Sequence, residues 1–197
     1  MAKTARKIDN NFCPQALYLF GTYQEDGTPH FGLFSWIAFN WTNGEKGPTL
    51  GLSACIGEEK LTKTLIRKNG IFSVNLVTEP LLPLADYYGC TYGFDHAEKM
   101  QRLPTVERGR TLNVPTIAES PVSFEVRVRR EEHLAEHSDL FLCEICGVTV
   151  EEQLQDSTAP IMDRLLKAPP VLAFGEHIYG TMDGRYLGKW GEPMETL

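Results

Sequence analysis

Between Val122 and Arg129 the chain alternates without interruption, with Val122, Phe124, Val126 and Val128 set against Ser123, Glu125, Arg127 and Arg129. Successive side chains of an extended strand point to opposite faces, so this pattern makes one apolar and one polar surface only as a strand. A half-buried strand is expected here. The polar bend Glu131–Asp139 then reverses the chain into Leu140–Val150, which is apolar on both faces. A strand buried on both sides needs a covered barrel wall or a contact with a second subunit.

The rest of the chain repeats the theme. Leu17–Thr22 reads as a strand, and Asp26-Gly27 signals a tight hairpin turn into a second strand over His30–Ala38. On that strand Phe31, Leu33, Ser35 and Ile37 should share one face, and Gly32, Phe34, Trp36 and Ala38 the other. A turn-rich patch, Asn40–Pro48, leads to apolar runs at Leu50–Ile56 and Ile71–Val77. Glu79–Gly89 is compatible with a helix despite Pro80 and Pro83, and the aromatic stretch Tyr87–Phe94 reads as a loop that either binds a ligand or covers core. A short helix at Met162–Lys167, a last strand at Val171–Phe174 and a Gly- and aromatic-rich tail, Tyr179–Gly191, complete the chain. Many short strands with hairpin punctuation and few helices predict a mainly β protein, an antiparallel β-barrel with short helices inserted.

The stretch Gly51–Leu76 reads most like a site. It runs strand, polar bend at Gly57–Glu59, short helix, Gly70 stop, strand. At 3.6 residues per turn Lys60, Lys63, Thr64 and Arg67 gather on one helical face, with Leu61 and Leu65 on another. The first turn of a helix adds unpaired N–H groups and a positive dipole end, so the stripe could hold an anionic group. Solvated lysines on an ordinary surface helix would give the same pattern.

Composition bounds the function. A chain of 197 residues fits a single domain, residues 1–197, with peripheral tails at 1–12 and 190–197. A formal charge of −7 with no dominant basic face argues against nucleic acid. Ala16–Phe20 is too short for a signal-peptide core, and no later run approaches membrane-spanning length. Five cysteines, an odd number, suit reduced thiols, so a soluble cytoplasmic protein is expected.

Several motifs fail on chemical grounds. Gly57–Thr64 comes within one residue of GxxxxGK[ST], but Thr62 stands where the second glycine must curl the backbone around phosphate. This excludes a nucleoside triphosphatase and leaves room for a single phosphate. His133 and His137 have helical zinc spacing, yet they join two strands and lack the placed Glu. Cys143 and Cys146 would point to opposite faces of a strand, which makes them structural thiols rather than a metal or redox pair. No Ser/His/Asp or Cys/His set assembles with any specificity.

Four features in this order resemble the flavin reductase-like family. They are the hairpin Asp26–Trp36, the strand Gly51-Leu52-Ser53-Ala54-Cys55-Ile56-Gly57, the Lys63–Ile66 helix followed by Gly70–Leu76, and the strand Asp139–Ile145. The resemblance runs from about Cys13 to about Gly188. It implies the FMN-binding split-barrel fold, with Greek-key connections, and a bound FMN. By the same resemblance Ser35, Trp36 and Ile37 flank the isoalloxazine ring, while Ser53, Ala54 and Cys55 with Lys60, Thr62, Lys63 and Thr64 cradle the ribityl phosphate. Asn75 supports the site, and Gly89–Lys99 reaches a flavin in the partner subunit of a homodimer. Trp36, Tyr92 and Trp190 would shape the open flavin face, and His30 stands where the family commonly has Asn. The implied activity is transfer of hydride from NAD(P)H through FMN to a small acceptor or redox protein. An electron carrier or flavin store, and a module that has lost its cofactor, are the other two readings.

Overall fold

The computed structural model describes residues 2–185. In chain order the elements are β1 (Gln15–Ala16), β2 (Tyr18–Tyr23), β3 (Pro29–Phe34), β4 (Ile37–Gly44), β5 (Gly47–Gly57), α1 (Leu61–Asn69), β6 (Ile71–Leu76), α2 (Leu82–Cys90), β7 (Val106–Arg108), β8 (Pro115–Ile117), β9 (Val122–Ala135), β10 (Ser138–Val150), α3 (Ile161–Leu165), β11 (Val171–Phe174) and β12 (Ile178–Thr181). Seven strands form one antiparallel sheet in the order β3-β2-β6-β9-β10-β5-β4. Its two edge strands, β3 and β4, are neighbours in sequence, joined only through Ser35 and Trp36. The sheet therefore coils until its edges meet at that corner, where Ile37 N–H donates to Ser35 O and Cys55 N–H to Trp36 O, both at 2.9 Å. This is a split barrel.

Phe20, Phe34, Leu52, Ile56, Phe72, Val126 and Phe141 fill its interior, with Phe20 stacked on Phe34 at 4.5 Å between centroids. A second cluster, including Leu19, Phe31, Leu81, Ala85 and Tyr88, lies between β2–β3 and α2. Thus β2 and β3 are covered on both faces.

The corner at Ser35–Trp36 breaks the expected strand His30–Ala38. Phe34 and Ile37 both pack on the barrel interior although strict alternation puts them on opposite faces. Two residues outside the ladder shift the phase and leave Trp36 54% exposed. The turn-rich patch at Asn40–Pro48 is instead a hairpin, with Trp41 opposite Leu50 and Thr42 opposite Thr49. The polar bend at Glu131–Asp139 is also mostly strand, reduced to Glu136–His137. Of the aromatic loop, Tyr87–Cys90 is the last turn of α2.

The polar face of Val122–Arg129 is not solvated along its length, because Ser123 and Glu125 are buried. The Glu125 carboxylate accepts backbone N–H bonds from Arg110 (2.8 Å), Thr111 (2.8 Å) and Leu112 (2.5 Å), organising the loop that leads into β8. His133 lies in β9 and His137 in the following turn, so no helix brings them together. Cys143 is buried and Cys146 half-buried, with a register shift between Ile145 and Gly147. No described helix is long and apolar enough to cross a membrane.

Candidate functional site

Helix α1 starts after Lys60 and ends at Gly70, whose left-handed φ of 67° closes the last turn with an N–H bond to Ile66 O. It lies so close to β3 that a Cβ at Gly32 would collide with the Thr62 hydroxyl. That approach buries Thr62; Lys63 is buried as well, while Thr64 and Arg67 of the same stripe stay exposed. Lys63 is fully buried, and its Nζ meets Asp139 Oδ2 at 2.5 Å, Glu59 Oε1 at 3.2 Å and Ile56 O at 3.5 Å. Arg67 reaches the same Asp139 oxygen at 2.8 Å and Glu131 at 2.6 Å, and His133 Nδ1 lies 2.9 Å from Asp139 Oδ1. Hydrogen bonds from Lys63 first and His133 second hold the Asp139 carboxyl down to about 2. This cage ties α1 to the β9–β10 hairpin. Thr64 is exposed, its hydroxyl turned back to Lys60 O at 3.4 Å.

On the other side of α1 lies a narrow cavity between β3, the first turn of α1, the end of α2 and the loop up to Lys99. His30 Nε2 and Thr62 Oγ1 are 3.0 Å apart within it. Lys60 Nζ stands 5.0 Å from the Tyr92 ring centroid, and Tyr92 OH donates to Glu58 at 2.9 Å. Lys99 is 5% exposed, with its Nζ 5.6 Å from the Tyr88 ring centroid. Among the described residues no carboxylate forms an ion pair with it. Burial, reinforced by the charge of Lys60, pushes Lys99 down to about 8. Burial and then the charge of Lys99 push His30 down to about 4, so at neutral pH the imidazole is neutral while Lys99 is still mostly charged.

Through Leu33, Phe34 and Gly89 this cavity adjoins a cleft of about 480 Å³, bordered by Ser35, Trp36, Phe174 and Tyr179. Beyond Trp36 a hollow of about 370 Å³ is lined by Ile37, Ala38, Ser53, Cys55 and Leu140. The cavity carries Lys99 and Lys60, the latter 3.7 Å from a Glu58 oxygen, whereas among the described residues Asp86 is the one carboxylate on the cleft. In charge and polarity these surroundings match a ligand with an anionic end and a flat apolar body, although the cationic cavity itself, at about 30 Å³, must widen to admit the anion.

The residues singled out from the sequence separate into two groups. Lys60, Thr62 and Tyr92 line the cavity, Ser35 and Trp36 the cleft, and Trp36, Ile37, Ser53 and Cys55 the hollow. Ala54 instead points into the barrel core, and Lys63 into the ion cage. Asn75 is wholly buried, donating to Leu19 O and Ser73 Oγ (both 2.9 Å) and accepting from Ser123 Oγ at 2.7 Å and Ile117 N–H at 3.2 Å. It pins β8 to the sheet and borders none of these cavities. The Gly89–Lys99 segment lines the cavity of its own chain. Trp190 lies outside the described residues. Reasoning from sequence missed Lys99 as an individual side chain and left His30 unassigned. Nothing local to Lys99 distinguishes it from a surface lysine. Among the described residues no group of three His, Cys, Asp or Glu side chains is placed to hold a metal ion.

The flavin reductase-like domain model matches residues 11–180. No curated protein matches the sequence. Among solved structures, flavoredoxin from Methanosarcina acetivorans superposes with a TM-score of 0.81 at 23% identity, over 99% of each chain. Flavoredoxin of Desulfovibrio vulgaris (Miyazaki F) gives 0.74 at 24% identity, over 95% of this chain and 97% of that one. The FMN-binding protein from Thermus thermophilus, with bound p-hydroxybenzaldehyde, gives 0.73 at 18% identity, over 96% and 98%. These likenesses show the fold.

Proposed function

Because the chain belongs to the flavin reductase-like domain family, we propose that it is an FMN-dependent oxidoreductase, a single domain that draws hydride from NADH or NADPH and passes electrons to a small acceptor or redox protein. The observation that carries this reading is the junction of a buried cation, unpaired among the described residues, with an aromatic cleft: Lys99 at one end, Trp36 at the other, Leu33, Phe34 and Gly89 between. FMN joins a flat, largely apolar ring to a phosphate dianion. Its bound ring would supply the hydride chemistry.

The chain's own contribution is binding and orientation. Lys99 and Lys60 neutralise the phosphate, and the Thr62 hydroxyl, held by His30, offers it a polar contact. A dianion beside Lys99 favours its charged form and offsets the cost of its burial. Phe34, Ser35 and Trp36 set the wall along which the ring lies, with Ile37, Ser53 and Cys55 on the far side of Trp36. Lys63 and Thr64 are not assigned to the phosphate, since the one is saturated by carboxylates and the other faces away. A second copy of the chain is the proposed cover for the outer face of the β4–β5 hairpin, where Trp41 is 78% exposed beside Phe39 and Leu50.

The flavoredoxins among the similar structures favour a second reading, an FMN-binding electron carrier without nicotinamide activity. A visible spectrum of the purified protein, followed by anaerobic addition of NADH and NADPH, separates the two. Bleaching of the flavin bands by a nicotinamide supports the oxidoreductase, and bleaching by dithionite alone supports the carrier. A colourless protein that cannot be loaded with FMN contradicts both.

A further inference from the structure

The five cysteines divide by surroundings. Cys143 is buried in the barrel core, where burial pushes its thiol up to about 12. Cys146 is half-buried, and burial followed by the charge of Glu144 pushes its thiol up as well. Cys55 shares a hydrogen bond with Ser138 Oγ at 3.3 Å and faces the hollow beyond Trp36. The two exposed cysteines, Cys13 and Cys90, border the same cleft, and Cys13 also borders the hollow that half-buried Cys55 faces. Thiols are among the side chains most often buried, and these two lie 77 positions apart in the chain, so their placement on the wall of one cleft is a product of the fold.

We propose that Cys13 and Cys90 form a reversible dithiol–disulfide couple in the Trp36 cleft, oxidised by low-molecular-weight disulfides such as glutathione disulfide. Their mobility requirements differ. Cys90 sits in the last turn of α2 and donates its S–H to Asp86 Oδ1 at 3.9 Å. Cys13 precedes β1, in a turn closed by its own N–H bond to Asn10 O at 3.0 Å, outside any sheet. Segment 10–13 is tied by Asn11 Nδ2 to Glu176 at 3.2 Å but by no ladder bond, so bringing the two Cα atoms within the roughly 7 Å a disulfide needs would unpair no strand.

The exchange balances as two thiols against one disulfide. The Cys13 sulfur attacks one sulfur of the small disulfide, whose S–S bond breaks. One small thiol leaves with a proton, and a mixed disulfide remains on Cys13. Cys90 attacks that Cys13 sulfur, giving up its proton and releasing the second small thiol as the Cys13–Cys90 bond forms. The protein loses two electrons and the small disulfide gains them. The finished bond tethers the segment before β1 to the end of α2 across the cleft. This inference does not depend on the flavin reading.

The test is disulfide mapping of the flavin-free protein after incubation with glutathione disulfide, followed by alkylation under denaturing conditions and peptide mass analysis. Free thiols should fall from five to three, with one Cys13–Cys90 cross-linked peptide in monomeric protein. Cys13→Ser and Cys90→Ser should each abolish the cross-link and leave the remaining cleft thiol carrying glutathione. Five unreacted thiols, separate glutathione adducts on Cys13 and Cys90 of the wild type, a different pairing, or a cross-link between two chains would each overturn the proposal.

Discussion

Lys63 and Lys99 are both buried lysines on either side of the same helix start, and they differ in what surrounds the ammonium. Lys63 has two carboxylates and a carbonyl within 3.5 Å, arranged so that α1 cannot leave the β9–β10 hairpin without exposing charge. Lys99 has aromatic rings, a neutral imidazole and a second lysine nearby. A cation saturated by the protein's own anions is structural, because another anion would have to displace a carboxylate. One left without a carboxylate costs stability until a ligand supplies it. That contrast supports the proposed phosphate site beside Lys99 over one at Lys63.

The largest expected effect breaks the structural half. Lys63→Met strands Asp139 in the interior, and losing one partner of a buried ion pair costs about 3–5 kcal/mol. Arg67 still faces Asp139, so the lower end of that range is expected in urea unfolding. Lys99→Met should do the reverse in the same experiment. The unfolding midpoint stays or rises, while FMN binding weakens by about 1.5–3 kcal/mol, the worth of a hydrogen bond to a charged group.

Changing the pH sharpens the contrast. Lys99 has a folded value of about 8 against an ordinary 10.5, so between those values the unfolded chain binds more protons. Stability of the ligand-free protein should therefore gain from this group as pH rises through that window, while FMN affinity falls as Lys99 loses its charge. Asp139 acts at the other limb. Its folded value is about 2 against 3.8, so its contribution is present above the unfolded value and is lost as pH falls from about 4 through 2. Urea midpoints measured across pH should lose the alkaline rise in Lys99→Met and the acid fall in Asp139→Asn. The smallest effect belongs to Thr64→Ala, an exposed hydroxyl bonded to its own helix, for which changes in stability within about 0.5 kcal/mol and unchanged FMN affinity are expected.

The barrel was legible because period-two alternation and turn residues are local signals. The Val122–Val128 face, the Asp26-Gly27 turn and the Gly70 helix stop all sit where the sequence puts them. What the sequence hid is what depends on the cover. Ser123 and Glu125 read as the polar face of a half-buried strand until the loop before β8 folds over them, and Lys63 read as a phosphate ligand or a solvated lysine until Asp139, 76 residues on, met it. Ser35–Trp36 reads as continuous strand, since the sequence does not mark where two sheet edges will meet. The site was half legible for the same reason. Trp36, Lys60 and Thr62 lie in recognisable motifs, whereas Lys99 acquires meaning only when its loop closes against β3 and α1.

The central claim is that the phosphate of FMN is held in the Lys99 cavity. Parallel titration of flavin-free wild type and Lys99→Met with FMN and with riboflavin, which lacks the phosphate, tests it most directly through quenching of flavin fluorescence. The account predicts that wild type binds FMN at least about tenfold more tightly than riboflavin, a gap of about 1.4 kcal/mol or more, and that Lys99→Met erases most of that gap while leaving riboflavin binding unchanged. Equal affinities in wild type, or a gap that survives in Lys99→Met, would contradict it.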